Sequence, residues 1–403
     1  MNLKKIRQSL LVILISGTLV YGGFRLGLWK AEQGSKSIST IDTTLMNDVL
    51  GRLKQSYLKT EDIDLKKMMY GATEGMTQAL GDPYTNYFPP VDNSRSKEDL
   101  QGEFGGVGIQ LGFVDKTLAV MTPLKDTPAM KAGVKAGDLI LKIIDKANNV
   151  DKDTAGISLT EAVNLIRGES GTEIILNIYR EGDQQAKDVS LIRGVINVPS
   201  TELKWLDSGK VAVVTVNMFG EKTLPEWEKM VTEIVEKNAK GVILDLRNNP
   251  GGYLQRAVDL GSEFISSGVI VKQRDRTGTE VMSVDRNGKL IGIPLVVLIN
   301  RGSASASEIL AGALRERLGI KLVGEKSFGK GTVQEAQEMP DGSGLHVTVA
   351  EWLLPSGNNI HGNGLDPDVL VEYVYDEKKP EADNQMDKAL EVLKGLKSTA
   401  ESL

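Results

Sequence analysis

Residues 300–334 read NRGSASASEILAGALRERLGIKLVGEKSFGKGTVQ. This stretch opens with alternating Ser and Ala and then takes on helical periodicity. Ile309, Leu310, Ala313, Leu314 and Leu318 fall on one face, and Gly319 stands where a helix C-cap is expected. The serines therefore sit at a helix N-terminus, where unpaired N–H groups and the helix dipole favour negative charge. A serine in that place is either an N-cap or a nucleophile whose oxyanion intermediate those N–H groups hold. A nucleophile needs a base, and the chain has only two histidines. His346 lies in an alternating run, Leu345 to Ala350, that reads as a strand. His361 lies in a Gly- and Asn-rich loop and reads as loop-shaping. The other option is Lys330, between Gly329 and Gly331 and downstream of the apolar strand Ile320 to Val323. A lysine serves as a base only when neutral, which requires burial or a cationic neighbour.

SASASE (303–308) followed by GEKSFGKGTVQ (324–334) resembles the C-terminal processing peptidases, also called tail-specific proteases. The resemblance implies that Ser305 is the nucleophile, that Lys330 is the base, and that Gln334 positions the Lys amine. Ser303 and Ser307 then read as structural, the first shaping the entering loop and the second capping or lining the helix. Gly324 to Lys330 also spells the start of a phosphate-binding G-x-x-x-x-G-K loop. Gly331 replaces the Ser or Thr that would hold Mg²⁺, and a strand follows where a helix is needed, so a nucleotide site is not expected.

From Ile196 onward strands and helices alternate. Val211 to Val216, Gly241 to Leu246, Val269 to Gln273 and Leu295 to Ile299 read as strands, with helices over Leu224 to Glu236 and Leu254 to Phe264. Strand, tight turn, helix places a catalytic group at the carboxyl end of a sheet. The expected fold is mixed α/β: a layered core resembling the crotonase-like fold of the family. DLRNNPGG (245–252) matches the family as well. There the Gly pair lends a backbone N–H to the oxyanion hole, which here implies Gly251, or failing it Gly252, opposite Ala306. Read bottom-up, Pro250-Gly251-Gly252 is also a plain type II turn.

Upstream, FGGVGIQL (104–111) is a glycine-rich turn entering a strand, and TPAMKAGVKAGDLILKII (127–144) is a short helix, a turn and a strand. A second helix over Leu159 to Arg167 and a closing strand over Ile174 to Tyr179 follow. Their order resembles a PDZ domain. Such a domain takes an extended C-terminal peptide as an added strand and meets its carboxylate with backbone N–H groups, here at Val107, Gly108 and Ile109. Arg167 resembles an arginine that couples peptide binding to a shift of this module over the active site.

The chain of 403 residues carries a net charge of −6 and no basic stripe beyond its first thirty residues, which disfavours nucleic acid; it has no cysteine, which excludes disulfides and thiolate metal sites. Lys4, Lys5 and Arg7 precede an uncharged apolar run from Ser9 to Phe24, the form of a signal peptide or an N-terminal membrane anchor. The anchor is the favoured form, because apolar residues continue to Trp29 without a clean cleavage site. The rest of the chain is then exported, whether held at the membrane or released. Ile41 to Leu80 reads as two amphipathic helices, whose Met-rich stripe reads as core; the resemblance adds the option of a homodimer through them. The domains expected are thus a signal or anchor (1–30), a helical region (38–100), the PDZ domain (101–193), the protease core (194–375) and a charged terminal helix (376–403), which would pack on the N-terminal helices.

These readings converge on a serine endopeptidase acting near the C-termini of proteins with apolar tails, without metal or cofactor. The alternatives are a peptide-binding scaffold on an inactive or activator-dependent core, and an acyl-CoA enzyme of the crotonase type. The first is disfavoured by the joint presence of Ser305, Lys330 and Gln334, the second by the inserted module.

Overall fold

The computed structural model describes residues 42–375, 379 and 381–400, which divide into two compact units between Gly71 and Ala72. The expected signal or anchor segment, 1–30, lies outside the described residues, among which no helix is long and apolar enough to cross a membrane. The first unit contains helix α1 (Thr44–Ser56) and the start of α2 (Leu65–Gln78). Their apolar stripes follow the expected periodicity, yet Leu45 is 73% exposed and Met69 58%. The expectation of a core stripe fails here. A helix stripe is buried only where a second layer covers it, and these side chains face solvent.

In the second unit the chain passes through β1 (Asn86–Phe88), α3 (Pro90–Gln101) and β2 (Glu103–Gly106) into an inserted domain. Its elements are β3 (Ile109–Val114), β4 (Thr117–Pro123), α4 (Pro128–Lys131), β5 (Leu139–Asp145), β6 (Val150–Asp153), α5 (Leu159–Ile166), β7 (Glu173–Tyr179) and β8 (Lys187–Ile192). The strands form an antiparallel sheet in the order β3-β4-β5-β7-β8, with β6 on β5. Strand β7 alternates strictly, turning Ile174, Leu176 and Ile178 into a core shared with Val107, Leu118, Val120, Ile140, Ile143, Ala162 and Ile166. It is not the closing strand. KDVSLI adds an edge strand that its charged start conceals. Strand β9 (Gly194–Asn197) then pairs antiparallel with β2, so the chain enters and leaves the domain through one two-stranded ribbon.

The core follows: β10 (Thr201–Leu206), β11 (Val211–Val216), α6 (Thr223–Glu236), β12 (Gly241–Asp245), α7 (Leu254–Gly261), β13 (Val269–Arg274), β14 (Thr279–Ser283), β15 (Leu295–Ile299), α8 (Ala306–Leu318), β16 (Lys321–Gly324), β17 (Thr332–Glu338), β18 (Gly344–Leu353), β19 (Val369–Leu370) and α9 (Asn384–Ala400). Strands β10-β11-β12-β15-β16-β19 make a sheet that is parallel from β11 onward. Parallel strands buried on both faces read as continuous apolar runs, and VAVVTV and LVVLI do. In β11, Ala212, Val214 and Val216 pack with Trp227, Ile234, Leu260 and Leu310 of α6, α7 and α8. Val211 and Val213 face the other way, onto Ala389 and Leu393 of α9. The terminal helix therefore covers the central sheet. Its charges occupy the outer face while two fully buried apolar side chains do the packing. A second sheet, β1-β18-β13-β14 with β17 on β18, places Trp352 and Ile270 against α7 and α8. The result is the expected crotonase-like layered α/β core carrying an inserted domain.

Candidate active site

Strand β15 delivers Asn300 to the carboxyl edge of the sheet, and the chain then turns sharply into α8. Ser305 is the N-cap of that helix at φ 54°, ψ −116°. A non-glycine residue in that region is strained by about 1–3 kcal/mol and persists only where its surroundings impose it. They do so through the flanking serines. The buried Ser303 hydroxyl donates to the Leu246 carbonyl (2.7 Å) and accepts from the Asn300 N–H. The buried Ser307 hydroxyl donates to the Asn249 carbonyl at 3.0 Å. Both fix the turn to the DLRNNPGG loop, and the partly exposed Ser305 is the serine left at its tip.

That loop is itself anchored. Arg247 pairs with Asp245 and Asp383 at 2.6 and 2.7 Å. The fully buried Asn249 donates to the Val216 carbonyl and accepts the Gly251 N–H at 2.9 Å. The Gly251 N–H, expected to meet an oxyanion, thus has a side-chain acceptor in place. The neighbouring Gly252 is exposed, and among the described residues its N–H has no acceptor. Gly251 serves close approach. A Cβ on it would meet Ser305 Cβ at 2.8 Å and Ala306 N at 3.0 Å. Ala306 is the first residue of α8, where no intrahelical acceptor exists for its N–H.

Lys330 lies on the loop between β16 and β17, with its carbonyl held by Trp352 Nε1 at 2.8 Å. Burial lowers its pKa, opposed by the nearby Asp82 carboxylate. Its Nζ lies 5.1 Å from the centre of the Tyr84 ring, and its charge adds to burial in lowering the pKa of His346. His346 packs against Phe88 at a tilt, ring centres 4.6 Å apart, and His361 Nδ1 accepts the Gly331 N–H at 3.3 Å, which fits its loop-shaping reading. Gln334, expected to position the Lys amine, donates to the Thr332 and Thr348 hydroxyls at 2.9 and 3.2 Å. The Thr348 side chain in turn bonds Asp82, the residue whose charge acts on Lys330.

One residue joins the two halves of this site and was not singled out from sequence. The Glu308 carboxylate is fully buried and accepts from Ser305 N (2.9 Å), Gly329 N (2.7 Å), Lys330 N (2.9 Å) and Ser327 Oγ. The amides of Ser305 and Lys330 share the same oxygen, so they lie no further apart than twice that distance. A Glu three residues after a Ser N-cap is a capping-box pattern, the signal that marks Glu308 in SASASE. Asn249 and Asp82 carry no comparable local signal.

In the inserted domain, the carbonyls of Val107 and Gly108 accept from Ala129 and Leu124 at 2.9 Å each, and Gly108 has φ 75°. Ile109 begins β3 beside them. Arg167 follows α5, pairs with Asp99 of α3 at 2.8 Å, and lies 3.9 Å over the Phe104 ring of β2. It thus bridges the inserted domain to the segment that enters it. Among the described residues no cluster of acidic or histidine side chains is placed to hold a metal.

The model of peptidase family S41 matches residues 210–371. Carboxy-terminal processing protease CtpA of Bacillus subtilis is 37% identical over 343 residues, which is 84% of this chain and 71% of that one. The carboxy-terminal-processing protease of Bartonella bacilliformis is 37% identical, covering 82% of this chain and 75% of its own. A crystal structure from Bacteroides fragilis, described as an S41 protease, superposes with a TM-score of 0.55 over 86% of this chain and 96% of that one; at 15% identity it speaks to the fold alone. The extent and level of identity to the first two establish that this chain belongs to the carboxy-terminal processing serine proteases of peptidase family S41.

Proposed function

We propose that the chain is a serine endopeptidase with a Ser305–Lys330 dyad that cleaves protein substrates near their C-terminus. The observation that carries this reading is Lys330, a lysine whose pKa burial lowers, on a loop tied to the turn that bears Ser305. Ser305 Oγ attacks the scissile carbonyl while the neutral Lys330 amine takes its proton. The oxyanion is received by the N–H groups of Ala306 and Gly252, each donor contributing about 3 kcal/mol. As the C–N bond breaks, Lys330 returns the proton to the leaving amine. Water then attacks the acyl-enzyme with Lys330 again as base. Gln334 acts on Lys330 indirectly, through Thr348 and Asp82.

The inserted domain supplies the preference for tails: an apolar C-terminal peptide adds to its sheet, with its carboxylate at Val107, Gly108 and Ile109. Arg167 links that domain to its entering segment and transmits occupancy to the active site. The basic cluster Lys4, Lys5, Arg7 and the apolar run after it direct the catalytic part out of the cytoplasm.

The test mixes a protein beginning near Ala31 with a substrate protein bearing an apolar tail, and follows the tail by intact mass spectrometry. Loss of the tail with wild type, and with neither Ser305→Ala nor Lys330→Ala, is the expected result. Cleavage by the Lys330→Ala protein overturns the dyad. Binding without cleavage in every sample favours the scaffold reading.

A further inference from the structure

The Glu308 carboxylate is an expensive feature for a helix cap. Removing a carboxylate from water costs several kcal/mol unless its oxygens are fully hydrogen-bonded, and a capping box needs only one bond, to the N-cap N–H. Here that bond is one of four. The other three come from Ser327, Gly329 and Lys330, on a loop about twenty residues downstream. Burial raises the pKa of Glu308, and all four donors oppose that rise. Its contacts reach the catalytic pair through the main chain, at Ser305 N and Lys330 N.

We propose that Glu308 is a positioning residue: one buried carboxylate that fixes the backbone of the nucleophile and the backbone of the base to each other. This rests on the dyad reading above. The geometry explains the residue type. Gln offers a single acceptor oxygen, so its NH₂ would face two of the four donors. Asp is one methylene shorter and cannot span from α8 to both segments. Ser327 is the one link made by a side chain, and its hydroxyl also accepts the Leu365 N–H, tying the Lys330 loop to the downstream chain.

The experiment compares Glu308→Gln, Ser327→Ala, Ser305→Ala, Lys330→Ala and wild type. It measures kcat and KM on a tail-bearing substrate, with active sites counted by a fluorophosphonate probe, alongside the rate of that labelling and thermal unfolding. A displacement of about 1 Å between reacting groups can cost about 100-fold. For Glu308→Gln the expected result is a loss of about 100-fold in kcat per active site and in labelling rate, with KM within about threefold and unfolding still cooperative. A merely structural role would lower the number of active sites and leave the rate of each unchanged, and that result overturns the proposal. If Glu308→Gln does not fold, Ser327→Ala decides. A fall of about tenfold or more in kcat at constant KM supports the clamp, on the scale of the lost hydrogen bond to the charged Glu308, and an unchanged kcat overturns it. Cleavage by Ser305→Ala or Lys330→Ala would instead refute the dyad itself, a separate outcome.

Discussion

Replacing Gly251 by alanine tests the site at its tightest contact. Gly251 has φ 103°, in a region open in practice only to glycine. The added Cβ would stand 2.8 Å from Ser305 Cβ, 2.9 Å from the Ala304 carbonyl oxygen and 3.0 Å from Ala306 N. All three are main-chain or first side-chain atoms, so no rotamer change relieves them. Backbone strain of about 1–3 kcal/mol adds to overpacking of about 1–3 kcal/mol. Relief requires the DLRNNPGG loop to move away from the serine turn by several tenths of an ångström or more. That motion separates Gly252 N–H from Ala306 N–H and misaligns Ser305. Loss of one oxyanion donor costs about 100- to 1,000-fold in kcat, so the expected fall is at least about 100-fold, with KM for a tail substrate little changed. The assay is kcat and KM on that substrate together with calorimetric unfolding. Gly171→Ala, in the inserted domain, is the control. Its φ of 92° imposes similar strain with no atom within 4 Å of the new Cβ, so it should lose stability and keep kcat. A Gly251→Ala protein with kcat within threefold of wild type would refute the reasoning.

Lys330→Met should stabilise the protein. Burial lowers the folded pKa of Lys330 below its unfolded value near 10.5, so in that window the unfolded chain binds more protons and wild-type stability rises with pH. The cost of Lys330 is therefore full below its folded pKa and vanishes as pH approaches 10.5. Urea unfolding should show a gap between Met variant and wild type that narrows as pH rises, and a pH-independent gap would contradict the buried amine. Asp82→Asn removes the charge that holds the Lys330 pKa up; the acid limb of kcat/KM should move to lower pH, and an unmoved limb would remove Asp82 from the site's electrostatics. Arg167→Ala breaks the Asp99 pair and the contact with Phe104. These are partly exposed interactions of about 1 kcal/mol or less, so stability should hold while tail-peptide affinity or turnover changes several-fold; no change in either would end its proposed coupling role.

Much of this protein is local in origin and was legible in its residues. Apolar runs such as VAVVTV and LVVLI announce strands buried on both faces, and the serine run with its helical continuation announces a sharp turn at the carboxyl edge of a sheet. Gly319, at φ 66°, ends α8 where a C-cap glycine should. What was not legible has one cause, since each point depended on partners distant in sequence. The stripe of α1 and α2 has the right period, but periodicity does not say whether a covering layer exists. The charged C-terminal helix keeps only a narrow apolar seam, and only the assembled sheet shows where that seam docks. Gly251 carries a family motif, while the fate of its N–H depends on Asn249, which is itself held by Val216 on another strand.

Element order, the inserted domain, the sharp turn at Ser305 and the candidate base Lys330 were readable in the residues, because each is encoded by positions adjacent in the chain. What lowers the pKa of Lys330, and what ties its loop to the serine turn, come only from the packed chain. Burial beneath Tyr84, the opposing charge of Asp82, and the carboxylate of Glu308 shared between two loops arise only when segments far apart in sequence are packed into a region that water does not fill, where both charge and hydrogen bonding acquire their full weight.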